Sequence, residues 1–130
     1  MKQYLARVAL AVADYDAALA WYTQKLGFTV VEDTPQGGGK RWLVIAPPGS
    51  RETALVLQKA TTERQQAAVG NQSGGRVFLF LHTDDFARDH AAYTARGVAF
   101  AEPPRREAHG TVAIFSDLYG NRWELIEPAR

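Results

Sequence analysis

The chain reads as one passage written twice, and few folds accommodate that. Residues 8–33, VALAVADYDAALAWYTQKLGFTVVED, run as an alternating strand, an amphipathic helix and a return strand after a glycine. Residues 79–102, LFLHTDDFARDHAAYTARGVAFAE, repeat the order. At an offset of 71, Val12-Ala13-Asp14-Tyr15 lies over Thr83-Asp84-Asp85-Phe86 and Tyr22 over Tyr93; one deletion then sets Gly27 over Gly97. A duplicated unit of this kind builds its site between the copies.

Periodicity places the elements. Val8, Leu10 and Val12 share one strand face, with Arg7, Ala9 and Ala11 on the other. Asp14 stands where a helix N-cap belongs, Tyr15, Leu19, Tyr22 and Leu26 form the helical stripe, and Gly27 ends it. Gln36–Gly39 reads as a turn, and Pro47–Ser50 as the link between strands at 41–46 and 53–58. The polar stretch 60–75 reads as a linker with about one helical turn. Strands follow at 77–82, 98–101, 111–116 and 122–127, with a helix over 85–96. The expected architecture is a single α+β domain over 1–130: two tandem βαβββ repeats, 1–59 and 76–130, forming cupped mixed sheets with helices on the convex face.

Charge and composition exclude several classes of function. A net charge of +1 gives no electrostatic reason to expect nucleic acid or an acidic membrane. No apolar run approaches the roughly 20 residues of a spanning helix. The absence of cysteine excludes disulfides, thiolate metal sites and cysteine nucleophiles, and a cytoplasmic location is expected.

The segments VALAVADYDAALAWYTQKLGF and FSDLYGNRWELIEP resemble the vicinal-oxygen-chelate superfamily of glyoxalase I, bleomycin-resistance proteins and extradiol dioxygenases. The resemblance covers almost the whole chain and implies the repeat fold. It says less about chemistry, because this fold hosts isomerases, lyases, dioxygenases and drug-sequestering proteins. Metal-dependent members carry His or Glu at four positions on the concave face. Position by position, these fall on Arg7, Leu55, Phe78 and Glu124. Only Glu124 is a donor of the required kind; a catalytic divalent ion needs about three, and arginine stays protonated. The expectation is therefore no metal and no cofactor, with the Arg7 guanidinium and Glu124 paired where the ion would sit, between two chains if the family's dimeric pairing applies.

The remaining candidates belong to the cup. Phe78, Phe80, Leu55, Leu57, Ile126 and Trp42 are expected to line it, with His82 at the far end of its strand and His109 in a loop at its mouth. Arg105-Arg106 would suit an anionic ligand if that loop reaches the cavity. His90, Trp21 and Trp123 read as packing residues, and Gly37–Gly39 as a hairpin tip rather than a phosphate loop. Two functions fit. One is a metal-independent protein holding a small apolar or aromatic ligand. The other is a lyase, isomerase or dioxygenase acting on a small oxygenated substrate, with Glu124 as base or metal ligand and His82 or His109 in support. A homodimer is expected, with a small molecule as partner.

Overall fold

The computed structural model describes residues 1–130. The chain divides into two compact units, Met1–Val69 and Gly70–Arg130. Both have the plan the repeat requires, so the fold is α+β with two mixed sheets.

In the first unit, β1 (Arg7–Val12), α1 (Tyr15–Lys25), β2 (Thr29–Gly37), β3 (Lys40–Ala46), β4 (Ala54–Lys59) and the short α2 (Glu63–Ala68) follow in order. The sheet order is β1-β4-β3-β2, parallel between β1 and β4 and antiparallel elsewhere. Helix α1 begins because the Asp14 carboxylate accepts from the Ala17 amide at 2.7 Å, meeting one donor the first turn leaves unpaired. It ends at Gly27, where φ of 71° turns the chain toward β2. Its buried residues Tyr15, Ala18 and Tyr22 meet a layer of Leu10, Val12, Leu43, Ile45 and Leu57, all fully buried. Each such side chain contributes about 1.5–3 kcal/mol on leaving water, and this layer is the core of the unit.

The second unit repeats the scheme with β5 (Val77–His82), α3 (Phe86–Ala95), β6 (Ala99–Phe100), β7 (Arg105–Glu107), β8 (Gly110–Ser116) and β9 (Arg122–Pro128). Strand β5 runs parallel to β9, β8 antiparallel to β9, and β6 and β7 both pair with β8. Asp85 caps α3 by accepting from the Arg88 amide at 3.0 Å, as Asp14 caps α1. The core layer is aromatic. Tyr93 and Phe115 meet edge to face at 5.6 Å, and Phe115 stacks on Trp123 at 6.0 Å. His90 packs between Phe86 and Phe100, the structural role its position in the helix suggests.

The D-x-x-G-N segment is a turn closed on its own side chains. One Asp117 oxygen accepts from the amides of Tyr119 (3.0 Å) and Asn121 (2.9 Å), and the other accepts from Asn121 Nδ2 at 3.0 Å. Asn121 Oδ1 in turn accepts from the Gln72 amide at 3.1 Å. Both side chains are buried, and their hydrogen bonds offset the desolvation that burial imposes. Gly70 lies so close to this turn that a Cβ there would overlap the Tyr119 carbonyl. The motif is architectural. No helix of the chain is long and apolar enough to cross a membrane.

Candidate functional site

Side chains opposite each other in a ladder share a sheet face, so the strand registers assign every residue of the two helix-free faces. In the first unit Arg7 pairs with Ala54, Ala9 with Val56, Val56 with Val44, Val44 with Glu32, and Trp42 with Thr34. This face therefore has an apolar middle of Val44, Ala46, Ala54 and Val56, all buried, with the half-buried Trp42 packed against it. The indole is held by its own polar atom: Trp42 Nε1 donates to Glu32 Oε2 at 2.8 Å. Thr34 Oγ1 donates to the other oxygen of Glu32 at 3.3 Å. At the opposite edge of the sheet, Arg7 is exposed and donates to the Ala6 carbonyl at 2.9 Å.

In the second unit Phe80 pairs with Glu124, Glu124 with Ile114, His82 with Ile126, and Ile126 with Val112. Phe80 is 60% exposed, unusual for a phenyl ring on a sheet, whereas Ile126 and Val112 are buried. His82 is exposed on the same face. The Glu124 side chain is only 12% exposed, and His109 Nε2 lies 3.7 Å from its Oε1. Gly110, next to His109, sits opposite Pro128, four residues beyond Glu124 on β9. At about 3.3 Å per residue, that separation exceeds 10 Å. The imidazole must therefore run back along the sheet from the hairpin tip to reach the carboxylate.

Several expectations need correction. Leu55 and Leu57 do not line this surface: they pair with Val8 and Leu10 and share the α1-facing layer. Their place is taken by Ala54 and Val56. Phe78 is displaced by a break in register between Val77 and Leu79, and its ring meets Trp123 edge to face at 6.2 Å. Trp123 stacks with the α3-side Phe115, so Phe78 extends that aromatic layer and Phe80 stands beside Glu124 instead. The segment with Arg105-Arg106, expected as a loop, is strand β7. The Arg105 guanidinium is engaged by Glu102 at 2.9 Å and by Glu107, so it is already neutralised within its own hairpin. Glu32 and Thr34 have no signal in the sequence: 29–34 does not alternate, and the register shift between Val30 and Glu32 sets which residues face Trp42.

The donor chemistry does not fit a bound divalent ion. Around Glu124 the register supplies Phe80 and Ile114, and the corresponding row of the first unit supplies Ala9, Val56 and Val44. No group of three or more His, Cys, Asp or Glu side chains is placed to hold a metal. What the two faces offer is aromatic surface beside a carboxylate, Glu32 hydrogen-bonded next to Trp42 and Glu124 next to Phe80.

Known proteins share this fold. The chain is 49% identical to an uncharacterized protein of Shewanella frigidimarina over 98% of its own length and 95% of the relative's. It is 30% identical to the uncharacterized protein YurT of Bacillus subtilis, over 92% and 94%. Among solved structures it is similar to UcmS2, with a TM-score of 0.83, 31% identity and coverage of 98% and 99%. It is also similar to TnmS3, described as an antibiotic binding protein from Streptomyces sp. CB03234, with a TM-score of 0.78, 32% identity and 98% coverage of both chains. The model of the Glyoxalase/Bleomycin resistance protein/Dioxygenase superfamily matches residues 4–125, nearly the whole chain, and to that superfamily the chain belongs.

Proposed function

We propose that the protein binds small, partly aromatic molecules without metal and without transforming them. The observation that carries this reading is Trp42, half-buried on an apolar bed with its ring nitrogen tied down by Glu32. A flat, oriented indole beside small apolar side chains is a stacking surface, and few polar groups accompany it. The exposed Phe80 gives the second unit a similar surface. The likeness to TnmS3, an antibiotic binding protein, supports the same class of ligand. A homodimer in the cytoplasm is part of the proposal, with Arg7 of one chain facing Glu124 of the other.

The test is titration of chelator-treated protein with a panel of planar aromatic antibiotics, followed by tryptophan fluorescence and calorimetry. Binding should need no metal, and Trp42→Ala should weaken it by about tenfold or more, the loss of roughly 1.4 kcal/mol of stacking. Binding that appears only after a divalent ion is added would overturn the proposal.

A second reading rests on the approach of His109 to Glu124. A carboxylate and an imidazole on one face can serve as base and proton carrier for a lyase or isomerase. Under that reading Glu124→Gln abolishes turnover of a bound compound while leaving its affinity intact; under the first reading no bound compound is altered by either protein.

A further inference from the structure

We propose that Glu32 is the anchor for a protonated amine, so that the site at Trp42 selects flat heteroaromatic ligands carrying one positive charge. This rests on the reading of the protein as a binder of flat molecules and names the chemical class within it.

The inference comes from how Glu32 is held. Both of its oxygens accept hydrogen bonds, one from Trp42 Nε1 at 2.8 Å and one from Thr34 Oγ1 at 3.3 Å. Both donors are neutral, so the carboxylate is oriented while its charge is left uncompensated. Neither basic residue at the start of β3 is paired with Glu32: Lys40 sits opposite Gly37 at the end of the hairpin. Arg41 carries its guanidinium to Asp33 and Asp16, each at 2.7 Å. Arg7 lies on β1, at the far edge of the sheet from β2.

Each carboxylate oxygen keeps a second lone pair free for an incoming donor. Glu32 is exposed, so an approaching ligand does not have to displace buried structure to reach it. The indole adds to the same preference, because the face of a tryptophan ring attracts a cation within about 6 Å. A ligand whose ring lies on Trp42 therefore brings a ring-borne ammonium or protonated ring nitrogen toward Glu32. A neutral ring of the same shape gains the stacking alone, and an anionic one is repelled.

The experiment compares two probes of one ring system: 9-aminoacridine, protonated at neutral pH, and acridine, which is neutral there. Affinities are measured calorimetrically for the wild-type protein, Glu32→Gln and Trp42→Phe at low and moderate salt. Glutamine keeps an acceptor for the indole N–H, so the variant removes charge with little change of shape. The expected result is that the wild type prefers 9-aminoacridine by about tenfold at low salt, less at moderate salt. Glu32→Gln should narrow that gap to the smaller share the indole supplies, without weakening acridine, and Trp42→Phe should weaken both probes. Acridine binding with no preference for the cation, or a preference that is undiminished in Glu32→Gln, overturns this inference while leaving the binder reading in place. Failure of both probes to bind the wild-type protein overturns both.

Discussion

Replacing Asp117 by alanine should be among the most damaging single changes outside the hydrophobic core. The carboxylate accepts from the amides of Tyr119 and Asn121 and from Asn121 Nδ2. Alanine leaves all three donors unmatched. Asn121 is 3% exposed, so water cannot readily replace the lost acceptor for its two groups. Tyr119 is half-buried and recovers part of its loss from solvent. With a buried unsatisfied donor costing about 1–3 kcal/mol, the sum is roughly 3–5 kcal/mol. Out of a total stability of about 5–15 kcal/mol this is a large share, and it should lower the melting temperature by roughly 10 °C or more. Asp117→Asn retains one carbonyl oxygen for the two amides and should lose about half as much. Urea unfolding reads the effect as a shifted midpoint at unchanged slope. A loss below about 1 kcal/mol for alanine, or equal losses for both variants, would refute the account of the turn as closed by its own carboxylate.

Further outcomes follow from other contacts. Gly110→Ala should destabilise the protein, because a Cβ there overlaps the Glu127 carbonyl and φ of +151° is unfavourable for a side chain; a variant as stable as the wild type in the same urea assay would count against the strand packing described. Asp33 is held below its ordinary value of 3.8 by its hydrogen bond from Arg41, against the opposing effect of burial. Its folded state therefore prefers the charged form, and the stability it adds is present above about pH 4 and lost as the pH falls through the lowered value. The gap in urea midpoint between wild type and Asp33→Asn should accordingly narrow on acidification, and a constant gap would contradict the pairing. Light scattering at tens of micromolar should give the mass of a homodimer, and a monomeric mass would count against the proposed assembly.

Much of the fold was legible because local chemistry and global plan agree. Asp14 and Gly27 mark helix ends from sequence and do so in the structure, and Asp85, expected as the first residue of its helix, is the N-cap one position before it. The helical stripe was legible to within one position: Ala18 is fully buried, and Leu19 only half-buried. Strand β7 was not legible. Pro103-Pro104 and two arginines have the composition of a solvated loop; it is the antiparallel ladder with β8 that makes an edge strand of Arg105–Glu107, with Arg105 held by Glu102 and Glu107.

The site was legible only where strands alternate. In RWEL polar and apolar residues take turns, which sets Arg122 and Glu124 on one face, and strand parity carries Ile126 onto it. In VFLFL and ALVL every residue is apolar, so parity carries no information about which face is which. The register is then set by pairing with neighbouring strands. A bulge at Phe78 sends that ring to the aromatic core, and the pairing of β4 with β3 turns Leu55 and Leu57 toward α1. The expectation of no metal rests on residue type and not on which face each side chain takes. None of Leu55, Val56, Phe78 and Phe80 carries a side chain that can ligate a divalent ion. What the register adds is something residue type could not supply: Trp42, Thr34 and Glu32 meet at one edge of one face, and it is on this contact that the proposed ligand site rests.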